Sequence, residues 1–236
     1  HRETDDCDIY FLNNHTDRQI SGQYVFKTKY KYAQLWDAVS GRRYTLQADK
    51  GRVTLHFLPR ESCFIVFSDK EENLEHKPLL PKQRVLDNDW TIYFDPHYKG
   101  KGTVHCRRLE YWNRNEDPAI RYYSGTAVYR TSFEWQNSMA GVHLQIPSNN
   151  CVTEVYVNGQ KAGTIWCSPW GLDISSYIRK GKNELELHVT NSWNNRAIDD
   201  LGQDRNSRLI AEPEAFVSEH SALQDAGLEG EVLLKF

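Results

Sequence analysis

The stretch Val155-Tyr156-Val157-Asn158-Gly159-Gln160-Lys161-Ala162-Gly163 sets an Asn-Gly pair between two extended runs. A two-residue type I′ turn needs positive φ at both central positions, and Asn-Gly meets that need at low steric cost, so the segment reads as a tight antiparallel hairpin. Strand-like runs recur on either side of it, at 90–94, 127–135, 142–146, 153–157, 162–166, 184–190 and 231–236. Six more, at 8–12, 23–29, 33–36, 44–47, 53–58 and 63–68, fill the N-terminal third, with Asp37-Ala38-Val39-Ser40-Gly41 supplying turn residues between two of them. Ser62-Cys63-Phe64-Ile65-Val66-Phe67 is almost continuously apolar, which marks a central strand covered on both faces.

Between the two series, residues 69–83 are charged and lack alternation, and Pro78 and Pro81 bracket Leu79-Leu80. This is the best domain boundary in the chain. The expectation is an all-β protein of two β-sandwich domains, a small antiparallel sandwich over 1–80 and a larger one over 81–236. Short helical turns are expected over 172–178 and 218–226. Residues 191–213 remain an unassigned long loop, of the kind that is usually functional or packed as an Ω-loop.

Composition supports this class. Nine Phe, seven Trp and 13 Tyr stand against one Met, and aromatic residues suit a pleated sheet. With 29 basic and 32 acidic side chains the net charge is −3, which lacks the basic excess of a nucleic-acid groove. An apolar share of 39% fits neither disorder nor a membrane span, so no membrane partner is expected. The five cysteines have no CxxC spacing and read as small buried hydrophobes, with a Cys151–Cys167 bridge left open. The chain opens at His1 without a leader and its one methionine is Met139, so a processed chain or an excised fragment is expected.

Chemical motifs are scarce. There is no HExxH or His-x-His among the nine histidines, no GxSxG and no glycine-rich phosphate loop, so neither metal nor cofactor is expected. Glycoside hydrolysis needs two carboxyl groups about 5–5.5 Å apart for retention or roughly 6.5–9.5 Å apart for inversion. Asp199-Asp200 and Glu116-Asp117 are adjacent, and neighbours on an extended chain point to opposite faces, so neither pair makes an acid and a nucleophile. A catalytic reading would need a deep pocket joining one of them to Glu110 or Glu154. No catalytic residue is assigned. Asn14-His15-Thr16 fits a glycosylation sequon of the kind that arises by chance.

Sugars present apolar C–H faces and a rim of hydroxyls, so their sites combine an aromatic platform with polar donors and acceptors. Two segments hold that mixture: Trp166-Cys167-Ser168-Pro169-Trp170-Gly171, and Asn191-Ser192-Trp193-Asn194-Asn195-Arg196 with Asp199. The candidate carbohydrate-binding residues are therefore Trp166, Trp170, Asn191, Trp193, Asn195, Arg196 and Asp199. The competing reading is burial. A buried aromatic gains up to about 4–6 kcal/mol, which makes core packing the default for Trp166 and Trp193, while Pro-Trp-Gly favours a loop at Trp170. Asn191 and Arg196 serve equally as a buried polar clasp tying the loop to the sheet.

Gly125-Thr126-Ala127, Val157-Asn158-Gly159 and Gly181-Lys182-Asn183 recur in an order that resembles the jelly-roll sugar-binding domain of glycoside hydrolase family 2. Ile120-Arg121-Tyr122-Tyr123-Ser124-Gly125-Thr126-Ala127, Val189-Thr190-Asn191-Ser192-Trp193-Asn194-Asn195-Arg196 and Gly227-Leu228-Glu229-Gly230 are similar to the C-terminal region of family 106 α-L-rhamnosidase-like proteins. Asp8-Ile9-Tyr10-Phe11-Leu12-Asn13 and Leu35-Trp36-Asp37-Ala38-Val39-Ser40-Gly41 extend that likeness to the first domain. The resemblance implies a galactose-binding-like jelly roll over 81–236 and a non-catalytic accessory region. It also implies an upstream catalytic domain in the same polypeptide as partner, a plant-type oligosaccharide or polysaccharide as ligand, and a periplasmic or extracellular parent. The alternatives are an autonomous carbohydrate-binding module and a complete small glycosidase.

Overall fold

A computed structural model describes residues 1–78, 80, 82–138, 141–218 and 220–236. The expected connection at 69–83, the methionine at 139 and the expected turn at 218–226 thus fall wholly or partly outside the described residues. The chain divides into two compact units, His1–Leu79 and Leu80–Phe236.

The first unit holds β1 (Arg2–Glu3), β2 (Cys7–Asn13), β3 (Ile20–Val25), β4 (Tyr32–Trp36), β5 (Arg43–Leu46), β6 (Ala48–Asp49), β7 (Arg52–Phe57) and β8 (Ser62–Ser68). They form two antiparallel sheets, β1-β2-β8-β4-β5 and β3-β7-β6. Strand β7 shows why: Val53, Leu55 and Phe57 are buried while Arg52, Thr54 and His56 are exposed, the period-2 signature of a half-buried strand. Those three pack with Leu35, Ile65 and Phe67 into one core. Strand β8 is central, as its composition predicts, but its second face is only partly covered. Phe64 lies half-buried beside Phe11, which is 55% exposed. The sequon is closed to modification as folded: Asn14 is buried, donates to the carbonyls of Arg18 and Leu58, and accepts from the backbone and hydroxyl of Thr16.

The second unit is a two-sheet jelly roll. Its elements are β9 (Gln83–Val85), β10 (Trp90–Phe94), β11 (Gly102–Cys106), α1 (Pro118–Arg121), β12 (Thr126–Trp135), β13 (His143–Gln145), β14 (Val152–Val157), β15 (Gln160–Ile165), β16 (Gly171–Asp173), β17 (Gly181–Thr190), α2 (Asn194–Leu201) and β18 (Leu233–Lys235). One sheet runs β11-β10-β12-β17-β14-β15 and the other β16-β13-β18-β9. The ten-residue partners β12 and β17 alternate buried and outward positions along their full length. Trp90, Tyr129, Trp135, Leu144, Val155 and Leu187 belong to the core between the sheets. Within it the Trp112 indole donates to the Tyr129 hydroxyl at 2.6 Å, which removes two polar atoms from the list of unmet ones.

The Asn158-Gly159 turn has the positive φ values expected of it, 52° and 79°. Asn158 also donates to Asn183 at 2.9 Å, so the Asn-Gly hairpin and the later Gly-x-Asn strand start are one hydrogen-bonded device. Asn183, fully buried, accepts from Asn158 and from the Arg179 backbone and donates to the carbonyls of Arg179 and Gly181. At Gly227, with φ +85°, a Cβ would sit 2.3 Å from the Trp112 indole nitrogen, so only glycine fits.

Three local expectations change. Residues 172–178 begin as strand β16 and continue as a turn, because Gly171–Asp173 pairs with His143–Gln145. No described residue of 218–226 is helical. The Gln224 backbone is engaged by the Asn195 side chain and the Ala226 carbonyl by the Trp112 backbone. The loop 191–213 instead contains α2 and a 3-10 turn at Arg205–Ser207. None of the five cysteines is in a disulfide, so the Cys151–Cys167 bridge is not formed. Cys63 and Cys151 are buried as expected while Cys7, Cys106 and Cys167 are only partly so, and burial, with Glu61 adding, pushes the Cys63 thiol up to about 12.

Candidate functional site

The end of the six-stranded sheet that carries the candidate residues is set by register. Phe94 pairs with Ala127, Thr126 with Thr190, Thr190 with Val152, and Thr153 with Ile165. The segments after β10, β15 and β17, and the one before β12, therefore all emerge at one end. Trp166 and Asn191 leave it with the single strand β14 between their strands.

Five of the candidates come together around α2. The Asn191 amide accepts from the Gly125 backbone at 2.9 Å and donates to the Tyr123 carbonyl at 3.0 Å. Asn195, buried, donates to the Gln224 carbonyl and accepts from its N–H, both at 2.8 Å. The Arg196 backbone donates to Ser124 Oγ at 3.1 Å, and its guanidinium reaches Asp199 at 2.6 Å and Asp200 at 3.9 Å. Asp199 and Asp200 thus lie on one helix, three and four residues after Arg196, rather than on opposite faces of an extended chain. Asp200 is wholly buried and is the hub of the region. One of its oxygens meets Lys99 at 3.2 Å and the other accepts from the Leu209 and Ile210 backbones at 2.8 Å each. Lys99 also donates to the Ser207 carbonyl. This is the clasp reading of Asn191 and Arg196, extended to Asn195 and Asp199, although Arg196 Nε is left without a partner in it.

Asn195 and Arg196 therefore face inward and are consumed by structure. Outward exposure falls to the tryptophans: Trp166 is 58% and Trp193 45% exposed, against the expectation of burial. Leaving half of a tryptophan in water forgoes roughly 3 kcal/mol each, so these positions are not explained by core packing. Trp170 behaves otherwise. It is half-buried against the core, sits at φ 59°, and its carbonyl accepts from Gln145.

Sequence reading missed Tyr98, His97 and Lys99, for their signal is spatial. Tyr98 follows β10 in a 3-10 turn, and its ring meets that of Trp193 edge-on at 5.8 Å and 76°. Two of the carboxylates considered for a catalytic pair are engaged by lysines. Glu154 lies on the outer sheet face paired with Lys161, which holds its carboxyl below the usual range, and Asp117 caps α1 while bonded to Lys101. His1, Glu3 and Asp8 bring one ligand atom each within 4.8 Å in the first unit, a grouping the sequence did not signal. His1 and Glu3 are exposed and Asp8 is buried, and exposed acidic groups are common without an ion.

The fold of the second unit is that of a galactose-binding-like β-sandwich. Residues 108–218 match the family model described as glycosyl hydrolase 2 galactose-binding domain-like. The chain is 30% identical, over 183 residues, to a protein of Formosa agariphila named "Putative beta-glucuronidase", covering 68% of this chain and 16% of that one. Its fold matches that of a rhamnosidase from Novosphingobium sp. PP1Y with a TM-score of 0.83 and 27% identity, over 100% of this chain and 23% of the other. The chain thus spans less than a quarter of either relative.

Proposed function

We propose that this chain is a non-catalytic β-sandwich region of a glycoside hydrolase of the α-L-rhamnosidase-like kind, bracing a catalytic domain of the same polypeptide and presenting a glycan-contacting end. The observation that carries this reading is the match of the entire chain, both units in sequence, to under a quarter of a rhamnosidase. The carboxylates speak for the same role: Asp117, Glu154 and Asp200 are each engaged by a cation, and Lys101 and Lys161 hold the carboxyls of Asp117 and Glu154 below the usual range, opposite to what a general acid needs. A plant-type oligosaccharide is the ligand proposed, and a periplasmic or extracellular parent the setting. The test is turnover of aryl α-L-rhamnoside and aryl β-glucuronide by the isolated chain. None is expected; hydrolysis abolished by a single carboxylate substitution overturns the proposal.

A second reading, an autonomous carbohydrate-binding module, is favoured by the exposure of Trp166 and Trp193. Calorimetry of the chain with rhamnose-rich oligosaccharides, native against Trp170→Ala and Trp166→Ala, separates the two. Absence of heat with every form removes the module reading.

A further inference from the structure

We propose that Trp193 and Tyr98 form the seat of one pyranose ring, and that Trp193, not Trp166, is the anchor of glycan contact. The proposal rests on the reading of this sandwich end as glycan-contacting and specifies its site and ligand class: a single hexopyranose unit with an exposed C–H face.

Three observations carry it. The rings are perpendicular, so they make a corner in which one aromatic face lies under a sugar ring while the other ring closes its edge. His97 extends the corner, its ring 5.0 Å from that of Tyr98. Polar groups adjoin both rings in the chain. The His97 side chain is exposed, and neither its imidazole nor the Tyr98 hydroxyl is hydrogen-bonded among the described residues. The Asn194 amide makes only long bonds of 3.4 and 3.5 Å.

The mounting is the third and strongest. Trp193 stands between Asn191 and Asn195, each held by two side-chain hydrogen bonds, and Ser192 bonds Gln224 at 3.0 Å. On the other side, Asp95 accepts from the His97 backbone through its side chain and from the Tyr98 and Gly100 backbones through its carbonyl. Lys99, next in the chain, ties this turn to α2 through Asp200. Both rings are thus fixed before a ligand arrives, and a preorganised site loses little ordering entropy on binding. Trp166 has a larger exposed area but no aromatic partner within ring-contact range among the described residues.

The test is two-dimensional NMR of tryptophan indole N–H groups in the whole chain, titrated with methyl α-L-rhamnoside and with a rhamnose-rich oligosaccharide. The Trp193 signal, assigned by its loss in Trp193→Ala, is expected to shift and saturate. Trp193→Ala is expected to weaken binding at least tenfold while the chain stays folded, as its remaining dispersed indole signals would show, since Trp193 is not part of the buried core cluster. Tyr98→Leu should weaken it about fivefold, and Trp166→Ala less than twofold. Binding lost in Trp166→Ala and kept in Trp193→Ala overturns this seat and leaves the glycan-contacting end standing. A native chain, shown folded by its dispersed indole signals, that responds to neither sugar overturns both.

Discussion

Asp200 shows what a single buried carboxylate does here. It holds Lys99 from the turn after β10, Arg196 from α2 and two backbone N–H groups from the segment beyond. Removing one partner of such an arrangement leaves the others charged or unsatisfied in a dry place, which typically costs about 3–5 kcal/mol. Asp200→Ala is expected to lower unfolding stability by that amount in urea denaturation, and Asp199→Ala, which takes the 2.6 Å partner from the buried Arg196 guanidinium, to destabilise as well. At this scale the sequence was half legible. Asn191 and Arg196 read as a clasp because amide and guanidinium groups near a strand end need partners. Tyr98 did not read at all, being 95 positions from Trp193 in sequence and adjacent only through the Phe94–Ala127 and Ala127–Val189 pairings.

At the level of elements, local rules located strands better than helices. The runs at 8–12, 90–94 and 153–157 fall within β2, β10 and β14, because alternation with a two-residue period and Asn-Gly turn chemistry are both written in consecutive residues. Helix α2 escaped. Its sequence Asn-Asn-Arg-Ala-Ile-Asp-Asp-Leu is poor in strong helix formers, and an eight-residue helix is held by its tertiary contacts rather than by propensity. The hairpin and the start of β17 are coupled through Asn158 and Asn183, so substitution at one is felt at both. Asn183→Ala is expected to cost about 2–3 kcal/mol by stranding buried polar groups, and a double cycle with Asn158→Ala should show clear non-additivity in chemical denaturation.

Across the whole molecule, the all-β reading of an aromatic-rich chain holds, while the arrangement of strands into sheets was not legible, because pairings such as Thr126–Thr190 join residues far apart in sequence. The ionic character of the second unit sets its acid limit. Asp117 is held low by Lys101 and by the Ala119 backbone, and Glu154 by Lys161. For Glu186, burial pushes upward but bonds from His188 and Arg130 outweigh it. A depressed carboxylate binds fewer protons folded than unfolded. Its stabilisation is therefore complete above the ordinary carboxylate value of about 4 and is lost as pH falls through the lower folded value. Melting temperature should be flat from neutrality to about pH 5 on this account and then fall steadily, and Lys161→Met should soften the fall.

The first and last strands of the second unit are neighbours. Strand β9 pairs with β18, and Lys82 and Phe236 exchange two backbone hydrogen bonds at 3.0 and 2.9 Å. A chain that enters and leaves a fold at one point occupies no more of a host polypeptide's path than a short loop. Such a unit can be spliced into a larger protein, moved along it or duplicated by recombination without forcing its hosts apart, a topological freedom that depends on none of its surface chemistry.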